Sequence, residues 1–154
     1  MKKRNLMGIC ALVTLLGMTA GAESANPRYG KWKLKSDAPA PQSNVMTYEP
    51  YGDHGMKITI DQVNKDGSPT HWSYVTNFDG KDEPVMGNPG QDATSVRILS
   101  PTVNEILNKK GGRVTQVLTN VLSPDKDTIG VMYMRVDAEG KTSNVTFATY
   151  QRIK

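Results

Sequence analysis

From Asn26 onward, apolar positions recur every second residue rather than every third or fourth. In "MKITIDQV", Met56, Ile58 and Ile60 alternate with Lys57, Thr59 and Asp61, the signature of a strand with one face buried. The turn-forming run "NKDGSPT" from Asn64 to Thr70 follows. In "HWSYVTNF", Trp72, Tyr74, Thr76 and Phe78 then fall on one face, and His71, Ser73, Val75 and Asn77 on the other. Two alternating runs around such a turn predict a hairpin.

The same rhythm predicts strands at "GKWKLK" (30–35), "QSNVMTYE" (42–49), "TSVRIL" (94–99), "RVTQVLTNVL" (113–122), "TIGVMYMRVD" (128–137) and "SNVTFATYQRIK" (143–154). Gly- and Asp-rich turns separate them, at Lys109-Lys110-Gly111-Gly112, Ser123-Pro124-Asp125-Lys126-Asp127 and Ala138-Glu139-Gly140-Lys141. The segment 100–112, "SPTVNEILNKKGG", carries two signals. Ser100, Pro101 and Gly111 stand where a helix N-cap, first turn and stop would. Val103, Glu105 and Leu107 alternate with Thr102, Asn104 and Ile106 as in a strand, and the short strands on either side favour that reading.

No other stretch after the N-terminal leader reads as a helix. Short strands at even spacing with short connections predict an all-β, antiparallel, up-and-down barrel of about eight to ten strands. Closure of the meander would remove the exposed edges that an isolated sheet must otherwise protect.

The leader changes the meaning of the composition. "MKKRNLMGICALVTLLGMTAGA" has a basic start (Lys2, Lys3, Arg4), an apolar run from Leu6 to Met18 and small residues at Ala20 and Ala22. These are the three parts of a secretory signal, with cleavage expected after Ala22. The apolar run is shorter than the roughly 20 residues needed to span a bilayer. Residues 1–22 are therefore expected to be removed, leaving 23–154 as one barrel domain with no transmembrane anchor, in the periplasm or outside the cell. Cys10, the only cysteine, leaves with the leader, so the remaining chain has no thiol and no disulfide. Removing three of the 19 basic residues against 15 acidic ones brings the net charge from +4 to +1. A nucleic-acid partner is not expected, because that function needs a concentrated basic surface.

Gly30-Lys31-Trp32 resembles the Gly-x-Trp signature on the first strand of lipocalins, members of the calycin group of barrels. The resemblance implies that Gly30, Trp32 and Arg152 form a structural closure, with Arg152 on the last strand packing across Trp32. "ATYQRIK" is also similar to the last strand of intracellular fatty-acid-binding proteins, although their Arg-x-Tyr order is here Tyr150-Gln151-Arg152. "GKWKL", "YEPYGDHGMKITIDQVNKDGSPTHWSY", "FDGKDEPVMGNP" and "NKKGGRV" resemble a group of small exported bacterial lipocalin-like proteins, mostly without a defined activity. The Thr-Asp-Tyr loop motif and cysteine pair of true lipocalins are missing, so their ligand preferences do not carry over.

Catalytic chemistry finds little support. His54 lies in the turn-like Asp53-His54-Gly55, and His71 heads a strand on the face opposite Trp72. No Gly-x-Ser-x-Gly elbow accompanies them. No His or Cys spacing suits a metal, and the acids of Asn64-Lys65-Asp66-Gly67 and Asp125-Lys126-Asp127 lack the alternating oxygen ligands of a calcium loop. A non-enzyme with no cofactor and no metal is expected.

What remains is the barrel interior. Met56, Ile58, Ile60, Trp72, Tyr74, Phe78, Met132, Met134, Tyr150 and Arg152 are the candidate lining for a small lipophilic ligand, with Thr76, Tyr150 or Arg152 fixing its orientation. The same side chains could instead fill a small barrel outright. That alternative predicts a structural or protein-interaction module of the cell envelope with no small-molecule ligand.

Overall fold

The computed structural model describes residues 25–35 and 41–154; the expected leader and its cleavage site at Ala22 lie outside them. Ten strands follow one another: β1 (Gly30–Lys35), β2 (Ser43–Tyr51), β3 (Gly55–Val63), β4 (Pro69–Thr76), β5 (Asp79–Pro84), β6 (Ala93–Ser100), β7 (Val103–Lys110), β8 (Arg113–Leu122), β9 (Thr128–Val136) and β10 (Thr142–Ile153). Every pairing is antiparallel, and the strands lie in the order β4-β3-β2-β1-β10-β9-β8-β7-β6-β5. The architecture is an up-and-down barrel, all-β among the described residues and nearly closed. No described helix is long and apolar enough to cross a membrane.

The seam lies between β4 and β5. A bridge after the end of β5 closes it: Ser73 N donates to Met86 O and Met86 N to Ser73 O, both at 2.9 Å. Gly87 allows this approach. Its φ is +84°, and a Cβ there would stand 2.5 Å from the His71 carbonyl oxygen.

Two expectations are resolved by this arrangement. The segment after Pro101 is a strand, β7, and not a helix. Asp79–Pro84, whose Asp79-Gly80 reads as turn chemistry in the sequence, is instead a strand, β5. It lacks alternation because it is a charged edge strand with both faces largely wet, the usual protection of an unpaired edge.

The interior side chains stack in layers perpendicular to the strands. At the end carrying the β3–β4 and β7–β8 turns, Asn44, Gln62 and Thr70 stand in register, as do Thr94, Asn108 and Gln116. The next layer holds Met46, Ile60 and Trp72 on one side and Val96, Ile106, Leu118 and Tyr133 on the other. Below it lie Tyr48, Ile58 and Tyr74 facing Asn104, Asn120 and Val131. Met56, Leu122 and Ile129 are buried toward the opposite end.

Trp32 is part of that closed end and has no exposed surface. Its indole N–H donates to the Arg28 carbonyl at 2.9 Å. The Arg152 guanidinium carbon lies 4.1 Å from the ring centroid, and Arg152 donates to the carbonyls of Tyr29, Pro27 and Lys126 at 2.8, 2.6 and 2.7 Å. Lys31, Lys33 and Lys35 face solvent on the other side of β1.

Candidate functional site

A cavity of about 800 Å³ occupies the barrel from the amide layer inward. This is within the range of roughly 300–1,000 Å³ typical of small-molecule sites. Ile58, Ile60, Trp72, Tyr74 and Tyr150 of the expected lining reach it. They do so because β3, β4 and β10 keep strict alternation there, which sends every second side chain inward. Trp72 and Tyr74 stack along β4 with centroids 6.1 Å apart and ring planes 19° from parallel.

The other expected lining residues stand elsewhere. Met132 and Met134 share β9 with the inward Val131 and Tyr133, so parity turns both methionines to the outer face. Met132 is in register with Phe147 of β10, which is 77% exposed yet also among the residues that line the cavity. Phe78 lies past the end of β4 with a φ of 59°. Phe78, Met56 and Thr76 line a constriction of only about 10 Å³ below the main cavity. Thr76 spends its hydroxyl oxygen accepting from Phe78 N at 2.9 Å. Arg152 lies against Trp32 at the closed end and does not line the cavity.

The constriction also holds a buried charge. Arg28 is 4% exposed, and its guanidinium donates to neutral oxygens: the Asn120 side chain and the Thr102 carbonyl, the latter at 2.7 Å. Burial pulls its pKa below the ordinary arginine value, with a smaller opposing contribution from nearby Tyr48. Asn120 extends the network by donating to the Tyr48 hydroxyl at 3.3 Å. Burial pushes the Tyr48 phenol up to about 12, and burial likewise raises Tyr74, Tyr133 and Tyr150. The Tyr133 and Tyr150 hydroxyls are 3.3 Å apart. All four tyrosines line the cavity, so its walls present neutral phenols.

Amides are the lining that a search for apolar side chains misses. Asn44 donates to Gln62 Oε1 at 2.9 Å, Gln62 to Asn64 Oδ1 at 2.5 Å, and Asn64 to Thr70 Oγ1 at 2.8 Å. Across the barrel, Thr94 donates to Asn108 Oδ1 at 3.0 Å and Asn108 to Gln116 Oε1 at 2.9 Å. The signal was present in the sequence: Asn44 shares parity with Met46 and Tyr48, Gln62 with Ile58 and Ile60, and Gln116 with Leu118. Arg135 is the one charged side chain lining the cavity among the described residues.

Neither histidine reaches the interior lining. His71 Nδ1 pairs with Asp61 Oδ1 at 2.7 Å on the exposed side of β3 and β4, and His54 is exposed in the β2–β3 turn. Among the described residues no three His, Cys, Asp or Glu side chains gather as a metal site would require.

The walls thus provide a partly open volume, stacked rings and neutral hydrogen-bonding groups, an arrangement compatible with ligand binding. No family model and no curated protein matches the chain. Among solved structures, EF1p2_mFAP2b bound to DFHBI is similar over 84% of this chain and 96% of that one, at 13% identity and a TM-score of 0.42.

Proposed function

We propose that this is a non-enzymatic, lipocalin-like binding protein, exported by its leader to the periplasm or beyond, that holds a small lipophilic molecule in the barrel interior. The observation that carries the reading is the cavity of about 800 Å³ under the amide layer. A filled barrel would spend that volume on side chains. Ile58, Ile60, Trp72, Tyr74, Ile106 and Leu118 supply the wall against which an apolar body loses water, a contribution of about 25 cal/mol for each Å² buried.

The test is a titration of the purified protein with a lipid extract of its own envelope, following Trp72 emission. A saturable change is expected. It should weaken by about tenfold, roughly 1.4 kcal/mol, when Leu118→Phe and Ala148→Phe together crowd the cavity. Emission that ignores the whole extract would contradict the reading. It would favour a module acting through its surface, where Val145, Phe147 and Ile153 of β10 are exposed.

A further inference from the structure

The cavity is not equally suited to every lipophilic molecule. Its polar residues lie in register on facing walls, Asn44–Gln62–Thr70 and Thr94–Asn108–Gln116, and form a belt above the aromatic and aliphatic layer. Most of the belt's hydrogen bonds run within each wall. Among the described residues, two buried polar atoms of the cavity walls nevertheless have no partner: Asn44 Oδ1, an acceptor on β2, and Gln91 Nε2, a donor in the connection between β5 and β6. Asn44 is 9% and Gln91 7% exposed. An amide atom left buried and unpaired keeps an uncompensated desolvation cost, so each represents recognition capacity that the fold has not used.

We propose that the preferred occupant is a neutral, flat ring compound bearing both a hydrogen-bond donor and an acceptor on its edge. One ring face lies against Trp72 and Ile60 and the other against Ile106 and Leu118; its edge donates to Asn44 Oδ1 and accepts from Gln91 Nε2. This rests on the reading of the cavity as a ligand site and narrows it from lipophilic molecules in general. Both orphan atoms are covered in the empty cavity, and a ligand reaches them when each amide turns about its soft terminal torsion.

Other chemistries fit less well. An alkyl chain crossing the belt dehydrates its amides and gives nothing back. A carboxylate inside finds Arg135 as its only cationic lining side chain among the described residues, because Arg28 lines the separate constriction of about 10 Å³. Flat rings gain from stacking on Trp72 as saturated chains do not.

The experiment compares three probes by calorimetric titration of the full chain: the fused bicyclic lactam carbostyril, which carries N–H and C=O on one edge; naphthalene, of the same outline with neither; and dodecanol. Replacing the orphans together, Asn44→Leu with Gln91→Leu, should weaken carbostyril at least tenfold while naphthalene binds as before or more tightly. Gln91→Glu turns the donor into an acceptor at nearly constant shape. It should weaken carbostyril alone, and it serves if the double variant loses its fold, which circular dichroism melting would reveal. A carbostyril-to-naphthalene affinity ratio unchanged by these substitutions would overturn the proposal, as would binding of naphthalene and dodecanol without carbostyril. If none of the three binds, both this inference and the ligand-site reading beneath it fall.

Discussion

Trp32 has no exposed surface because three separate constraints meet on it. Strand parity sends it inward with Leu34, its N–H is spent on the Arg28 carbonyl, and Arg152 covers its face. Gly30 completes the arrangement: its φ of +121° suits glycine, and a Cβ there would lie 3.1 Å from an Arg152 guanidinium nitrogen. Arg152→Lys retains the charge but loses the flat stacking surface and the forked set of donors. It should lower unfolding stability by about 1–3 kcal/mol in a urea titration. Trp32→Ala leaves a large void and should cost about 3–5 kcal/mol by the same measurement. Equal, near-zero effects of both would show that this closure contributes little to holding the barrel together.

The weakest junction between elements is the seam of β4 and β5, held by the Ser73–Met86 bridge. Gly87→Ala introduces a methyl into the His71 carbonyl and a side chain at a φ of +84°, so it should destabilise by about 2 kcal/mol or more. Hydrogen exchange should then quicken at the Ser73 and Met86 amides before it does so in the β2–β3 hairpin. Elements with one dry face were legible in the sequence, since Met56, Ile58 and Ile60, or Trp72 and Tyr74, alternate cleanly with polar neighbours. β5 was not, because a charged edge has no dry face to reveal it. Met132 and Met134 show a different limit. In "IGVMYMRV" both parities of β9 are apolar, so periodicity cannot tell the inward Val131 and Tyr133 from the outward methionines. The inward amides were hidden for the opposite reason. Asn108 and Gln116 look like surface residues until the register places them beside Ile106 and Leu118.

At the scale of the whole molecule, the buried tyrosines tie stability to alkaline pH. The fold keeps the Tyr48 phenol neutral up to about 12, against an ordinary value of 10.0, chiefly because burial disfavours the phenolate. Its contribution is full below pH 10 and is lost as pH rises from 10 to about 12, where the unfolded chain releases a proton that the native barrel retains. Two units correspond to about 3 kcal/mol for Tyr48 alone. Stability measured by denaturant should therefore fall above pH 10, and Tyr48→Phe should flatten that decline while leaving the neutral-pH value within about 2 kcal/mol. The same barrel that hides these phenols encloses the cavity, and occupancy of that cavity is the central claim. Native mass spectrometry of the protein purified from its own cell envelope tests it most directly. The account predicts a chain beginning after Ala22 that carries a small-molecule adduct, released when the barrel is unfolded. The bare chain mass alone, in every preparation, would contradict it.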